Sequence, residues 1–523
     1  MLKRIATIVL ASALLTSCGK SKPNTTTPTG SLTTLVGDTP GLCDAVTFNL
    51  MVTDLSLIGY SANGQTIAGT TPINANSAAA PEIRINLGCL RDFTTPLNIN
   101  PASVGTYNTA YITISEPTLV FYDPTILPPN PPTNTPDLTL NPLKNIEIPI
   151  SPSLVITSGQ ASVMQVDFDM PHMIQSITTD PTTGNLTVTG TPEISVTPLT
   201  AAGSQGQGFG ELDDLVGFVR SVTIPPPGNT SLYNGSFSLQ LLSASITAPP
   251  LVTINLTSSS QLYGFSDLNQ IVTDDFMEVD AYIDVDGNFV ATSVEDEYPE
   301  YVPTLGSSET ATLAIIGPVT SLTKDAYGNV TSFNIWAREV EPNDAFIVTP
   351  DSILVVNISS STTYQYSSRS VDFANLAFGP GNITVGQELI VHGPITVPTT
   401  TNTGSGAPSL PTTVAAAKVY DKLQSLQGSF SSLVKDAGDD KTGGFTFSPC
   451  STLFQGTPAM VLTNNQTAFV NLTGLSSLGG YAGQATLLVK GLPFFEAQAQ
   501  TINGVPVPAG TLVILAKQVH QLQ

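Results

Sequence analysis

The sequence predicts an all-β protein, with a β-sandwich-like domain at the N-terminus followed by about three small antiparallel barrels. Three observations carry this. Period-two alternation of apolar and polar residues dominates from Leu32 onward. Glycine (42) and proline (41) are numerous and scattered, as turns between many short strands require. From about position 211 a pattern of strands repeats three times. Hydrophobic residues make up 41% of the 523, enough for packed cores, and charged residues only 11%. The length suits three or four domains at roughly 150 residues each.

The first element is a leader. Lys3 and Arg4 are followed by an apolar run, Ile5 to Leu15, which is too short to span a bilayer permanently and reads as a secretory signal. Leu15-Thr16-Ser17-Cys18 then resembles the lipobox of bacterial lipoproteins. That resemblance implies a diacylglycerol on the Cys18 thiol and cleavage before Cys18, so 1–17 is the signal peptide. It makes the membrane a partner through the N-terminal lipid. Gly19 follows the cysteine and no aspartate stands there, which by resemblance to enteric lipoproteins favours the outer membrane over the inner. Residues 18–31, rich in Thr, Pro, Ser and Lys, read as a flexible tether.

Residues 32–202 form the sandwich-like domain. Val46, Phe48, Leu50 and Val52 alternate with polar positions, and Leu55 and Leu57 resume the pattern after a one-residue slip that a bulge would produce. Tyr111–Ile114, Leu119–Phe121 and Met164–Phe168 read as strands, and Pro128–Pro132 as a loop. Residues 203–210 (GSQGQGFG) are a glycine-rich linker. The repeats follow at 211–298, 299–421 and 422–523. Val252–Tyr263 resembles Leu354–Tyr364, and Met460–Phe469 is a weaker echo. Each copy is preceded by a glycine-containing strand (Gly217, Gly317, Gly428) and ends on Val290–Val294, Ala416–Val419 or Ile514–Val519. Five or so strands per unit suit a barrel of the OB type. The modules are expected to form a string that presents loops and faces from the end of the tether.

Leu35–Pro40, Phe48–Leu55 and Val166–Asp169 resemble domain-of-unknown-function family 4382. Leu215–Val219 and Phe289–Val294 resemble family 5666. Together they are similar to bacterial envelope lipoproteins that join one of the former to several of the latter. The resemblance implies no activity and no catalytic residues. The second repeat departs from the pattern around Glu341–Asp344 and over Thr396–Thr413.

The formal charge is -23, nearer -25 without Lys3 and Arg4. Such a surface repels phosphate backbones, which argues against nucleic acid and against electrostatic docking on anionic lipid. Of the four cysteines, Cys43 and Cys89 flank an early β region, and an oxidising compartment permits a disulfide between them; the alternative is two buried free thiols. Cys450 is left over as a small buried hydrophobe.

Catalytic signals are sparse, and the reading is non-enzymatic. Ser432–Lys435 matches S-x-x-K and Lys441–Gly443 matches K-T-G, but six residues apart in a predicted hairpin and without S-D-N. Only His172, His392 and His520 are available as bases, and His172 reads as a strand-end or core residue. The local anomaly is acidic. Eleven carboxylates lie between Asp267 and Glu300, and no Lys or Arg occurs from 221 to 323. Asp284, Asp286, Asn288 and Glu295 have the oxygen spacing of a Ca²⁺ loop, with Phe289 where such a loop needs glycine; the competing reading is an Asp-Gly hairpin turn on a solvated face. Trp336, Tyr298, Tyr301, Tyr364 and Tyr366 are candidates for a sugar-binding platform, against cross-strand packing. The expected function is a lipid-anchored envelope protein with a binding, adhesive or structural role toward a protein or glycan partner. The alternatives are a carbohydrate or small-ligand module, Ca²⁺-dependent or not, and an unrecognised hydrolase.

Overall fold

The computed structural model describes residues 28–38, 43, 45–61, 64–74, 83–90, 94–122, 133–183, 185–200, 208–226, 232–241, 251–265, 267–298, 312–326, 328–341, 348, 351–366, 376–396, 412–436, 439–454, 456–478 and 486–522. Cys18, most of the tether, the Pro128–Pro132 loop and Tyr301 lie outside them. The fold is all-β, a sandwich-like domain followed by three OB-like barrels.

The N-terminal domain is built from one folded sheet in the order Thr66–Asn74, Ala45–Tyr60, Gly105–Tyr122, Ile146–Ile156, Ile194–Leu199, Ala161–Phe168, Thr29–Asp38 and Thr94–Ser103. Ile146–Ile156 and Ile194–Leu199 meet at a single residue pair, Ile150 with Val196, and there the sheet turns over to make two layers. Phe48, Leu50, Ile112, Ile114, Val166 and Phe168 fill the space between the layers. The strand over Ala45–Tyr60 shifts register between Val52 and Asp54, where the alternation slips. Thr29–Asp38 takes in the last three residues that composition assigns to the tether.

The barrels share one topology. In the first, Gly210–Thr223 pairs with Gly235–Leu241 and with Phe276–Ile283. Leu251–Leu256 then closes the barrel by running parallel to Phe289–Tyr298. The third repeats this with Gln424–Asp436, Gly443–Pro449, Ala459–Thr463, Thr486–Glu496 and Thr511–Gln521. In the second, Thr312–Lys324, Val330–Ala337, Ser352–Asn357 and Glu388–Thr396 occupy the same places, and the fifth position is split between Thr413–Ala415 and Lys418–Asp421.

Two sequence features recur for a geometric reason. A Cβ on Gly217, Gly317 or Gly428 would lie 2.2, 1.8 or 2.2 Å from the carbonyl oxygen of Gln240, Trp336 or Ser448, so the first two strands of each barrel cross only over a bare backbone. The hydroxyl-rich turn after the third strand carries a positioned oxygen. Ser260, Thr362 and Thr467 each accept from the backbone N–H three residues back and donate to the carbonyl of Ala291, Ala416 or Ala516 in the fifth strand.

The modules are packed on one another, which departs from the expected string. Barrels 1 and 2 share an apolar interface of Val216, Phe218, Phe276, Ile316, Ile390 and Tyr420. Barrel 3 packs Phe494 against Tyr366 of barrel 2. Leu35 and Val163 of the sandwich join the core of barrel 1. Val46 and Tyr122 meet Trp336 of barrel 2 and Leu453 of barrel 3. Cys43 is disulfide-bonded to Cys450, 407 residues away, and so ties the sandwich to the last barrel. This replaces the expected pairing with Cys89 and the expected free thiol at Cys450. The sequence favours Cys43 with Cys89 because both flank an early β region, whereas the fold sets the sandwich against the last barrel.

Candidate functional site

The junction where all four modules meet holds a set of buried, positioned polar groups. Register relates the barrels residue by residue. Gly217 pairs with Met277, Gly317 with Leu389 and Gly428 with Leu487, so Asp280, His392 and Lys490 occupy equivalent sites on the fourth strands. Glu295, Tyr420 and His520 are likewise equivalent on the fifth. Asp280, Glu295, His392 and Tyr420 point out of their own barrels and into the contacts between barrels. Glu278, Asp280, Glu295, His392 and Lys490 are all buried.

The acidic run of barrel 1 is therefore met in part by side chains of the other barrels. Lys517 of barrel 3 donates to Asp280 Oδ2 at 2.9 Å, and Ser293 adds a second bond at 3.1 Å. Gln365 of barrel 2 reaches Glu295 Oε1 at 3.5 Å. The solvated acidic face read from the sequence is thus in part an interface, and Lys517 escaped notice because it lies 237 residues from Asp280.

His392 stands edge-on between the rings of Phe276 (5.2 Å) and Tyr420 (5.6 Å). Complete burial, aided by the nearby Lys418 cation, pushes its pKa down to about 3. Lys418 lies over the Tyr420 ring at 4.4 Å. Asp421, the next residue, is fully buried, and desolvation raises its carboxyl well above the usual range, opposed in part by the nearby Gln387 side chain. Burial and the charges of Asp421 and Glu496 likewise push the Tyr366 hydroxyl up.

Toward the sandwich, Arg338 Nη1 donates to both carboxylate oxygens of Glu388 at 3.0 Å, and its Nε donates to the Val46 carbonyl at 2.7 Å. Asp351 accepts from Asn49 at 2.6 Å and from Arg84 at 3.0 Å. Beside Arg338 and Glu388 lies a cavity of about 60 Å³, lined by residues of every module, among them Thr95, Val216, Ser425 and Phe454. It has room for about two waters, far below the roughly 300 Å³ or more of a small-molecule site. Its buried hydroxyls, Thr95 Oγ1 and Ser425 Oγ, have no protein partner. The chemistry of this junction is that of a polar joint and not of a substrate pocket.

The remaining sequence candidates are placed as follows. Asp284 forms the turn between the fourth and fifth strands of barrel 1. Its Oδ1 accepts from the N–H groups of Asp286 and Asn288, and its Oδ2 from the Tyr233 hydroxyl. Asp325 and Asn329 make a turn of the same kind between the first and second strands of barrel 2, where the middle acidic position is Tyr327 in the sequence, so the geometry is a hairpin device that needs no ion. Glu295 sits six residues beyond Phe289 along the strand, roughly 20 Å from the turn. The four residues thus do not converge, and no group of three or more His, Cys, Asp or Glu among the described residues is arranged to hold a metal.

Ser432 lies on a strand and hydrogen-bonds Thr446, with no helix opening at it. His172 is on the single turn Met170–Met173, exposed and paired with Asp169 at 2.7 Å, and so is neither at a strand end nor in the core. Tyr364 and Tyr366 pack on Phe378, and Trp336 is buried, so they form no exposed platform.

No family model matches the chain, and no curated protein matches it. Among solved structures, one titled drosophila Unr CSD456 aligns with 60% of this chain and 98% of its own at 10% identity and a TM-score of 0.13. That score is too low for the likeness to carry an argument.

Proposed function

We propose that this protein is a lipid-anchored, non-catalytic component of a bacterial cell envelope, with the outer membrane as its address, whose four modules act as one body in a binding, adhesive or structural role. The observation that carries the reading is the Cys43–Cys450 disulfide. Structural disulfides persist in oxidising compartments outside the cytosol, the destination that the leader and the Cys18 motif imply. The buried ion pairs between modules support the single-body part of the reading, and the small joint cavity favours a structural over a ligand-consuming role. A partner, protein or glycan, would meet the outer faces of the assembly. The test is metabolic labelling with palmitate of the wild type and of Cys18→Ala, with fractionation of membranes. Wild type should carry label and sediment with membranes, and the variant should do neither. An unlabelled wild-type chain overturns the reading.

A further inference from the structure

Among the described residues, the sandwich has one end whose own side chains carry no charge, and the first of those residues, Pro28, lies there. Residues 23–37, 55–81, 93–115 and 148–166 contain no Asp, Glu, Lys, Arg or His, in a chain that is 11% charged. The register brings the described parts of these four stretches together. Tyr60 pairs with Thr106, Thr106 with Val155, Thr29 with Ser103 and Ser31 with Ala161. The Pro28 carbonyl accepts from Val104 N–H, which fixes the first described residue on the same rim.

On the outer face of one layer this rim presents Ile58, Tyr60 and Val155, exposed to 37, 48 and 59%. Tyr60 and Val155 flank Thr106 in one cross-strand row. The opposite layer is covered by barrel 1, whose Gly287 turn, with Asp284 and Asp286, approaches Ala161, so the charge-free face is that of the uncovered layer. Barrels 2 and 3 attach at the far end of the uncovered layer, through Asn49, Val46 and Cys43.

We infer that this charge-free rim is a membrane-docking surface, with Tyr60, Ile58 and Val155 resting in the headgroup region of the bilayer that holds the Cys18 lipid; the inference rests on the lipid-anchor reading above. Eleven residues from Cys18 to Thr29 span at most ~40 Å when fully extended, so the rim is the part of the body closest to the anchor. An acidic protein meets an envelope surface with repulsion everywhere except where its own charge is absent. Tyrosine beside aliphatic side chains suits the interface, where the ring is half in hydrocarbon and the hydroxyl stays wet. One attached lipid moiety makes even weak secondary contact effective in fixing orientation.

The test uses the mature lipidated protein in phosphatidylcholine vesicles brominated on the acyl chains. Tyr60→Trp and Val155→Trp each report depth by quenching, with Leu433→Trp on barrel 3 as the control and Trp336, buried at 6% exposure, as the constant background. The expected result is flotation with the vesicles, blue-shifted and quenched emission at positions 60 and 155, and unquenched emission at 433. Flotation with 60 and 155 no more quenched than 433 overturns the docking surface and leaves the anchor standing. Failure to float, with no acyl mass on the N-terminal peptide, overturns the anchor and the docking surface with it.

Discussion

Replacing His392 with phenylalanine should remove a large part of the protein's acid sensitivity. His392 is enclosed by Phe276 and Tyr420, and its pKa falls from an ordinary 6.5 to about 3, through burial and then the Lys418 charge. The unfolded chain takes up a proton there below about pH 6.5, and the folded chain only near pH 3. The stability this difference confers is complete above pH 6.5 and drains away as the pH falls toward 3. A shift of this size corresponds to roughly 5 kcal/mol over the whole range, and to about 2 kcal/mol between pH 7.5 and pH 5. The phenylalanine side chain keeps an aromatic ring between the same two neighbours and binds no proton. Urea unfolding of wild type and His392→Phe at pH 7.5 and pH 5 isolates the effect, because every other titrating group is common to both chains. Wild type should lose about 2 kcal/mol more than the variant on acidification. Equal losses in the two chains would show that the imidazole is not held neutral between the barrels, and would refute the reasoning.

Other consequences follow from the same packing. Asp421→Asn should stabilise the protein increasingly as the pH rises from 4 to 8, because the buried carboxyl is held neutral while its unfolded counterpart ionises above the usual value; a flat difference across unfolding curves at several pH values would speak against this. Cys450→Ser should lower the urea midpoint, with a loss of up to ~6 kcal/mol in the chain-entropy model for so long a loop. Lys517→Met leaves Asp280 buried without its cation and should cost about 3–5 kcal/mol, while the pair Lys517→Met with Asp280→Leu should recover much of it in a double-mutant cycle. Gly317→Ala should destabilise by about 1–3 kcal/mol or more, since its Cβ would meet the Trp336 carbonyl at 1.8 Å; a neutral result in thermal melts would mean that the strands can part.

The barrels were legible in the sequence because their signals are local. Gly217, Gly317 and Gly428, and the turn oxygens of Ser260, Thr362 and Thr467, recur at fixed places within each unit, and each serves a contact inside that unit. The bulge after Val52 was legible for the same reason, since one residue's slip reverses the faces. What escaped depends on contacts between units. Nothing near Cys43 points to Cys450, and nothing near Asp280 points to Lys517. Alternation marked both faces of these strands, yet it does not tell a polar face in water from one buried against another barrel. His392 shows the same ambiguity, a polar residue on an outward position that becomes a fully enclosed base.

The central claim is that the first and last modules of this chain close on each other into one covalently fastened body. Mass spectrometry of peptides from the unreduced protein tests it most directly. A peptide containing Cys43 joined to one containing Cys450 is the predicted product; Cys43 joined to Cys89, or both thiols free, would contradict it.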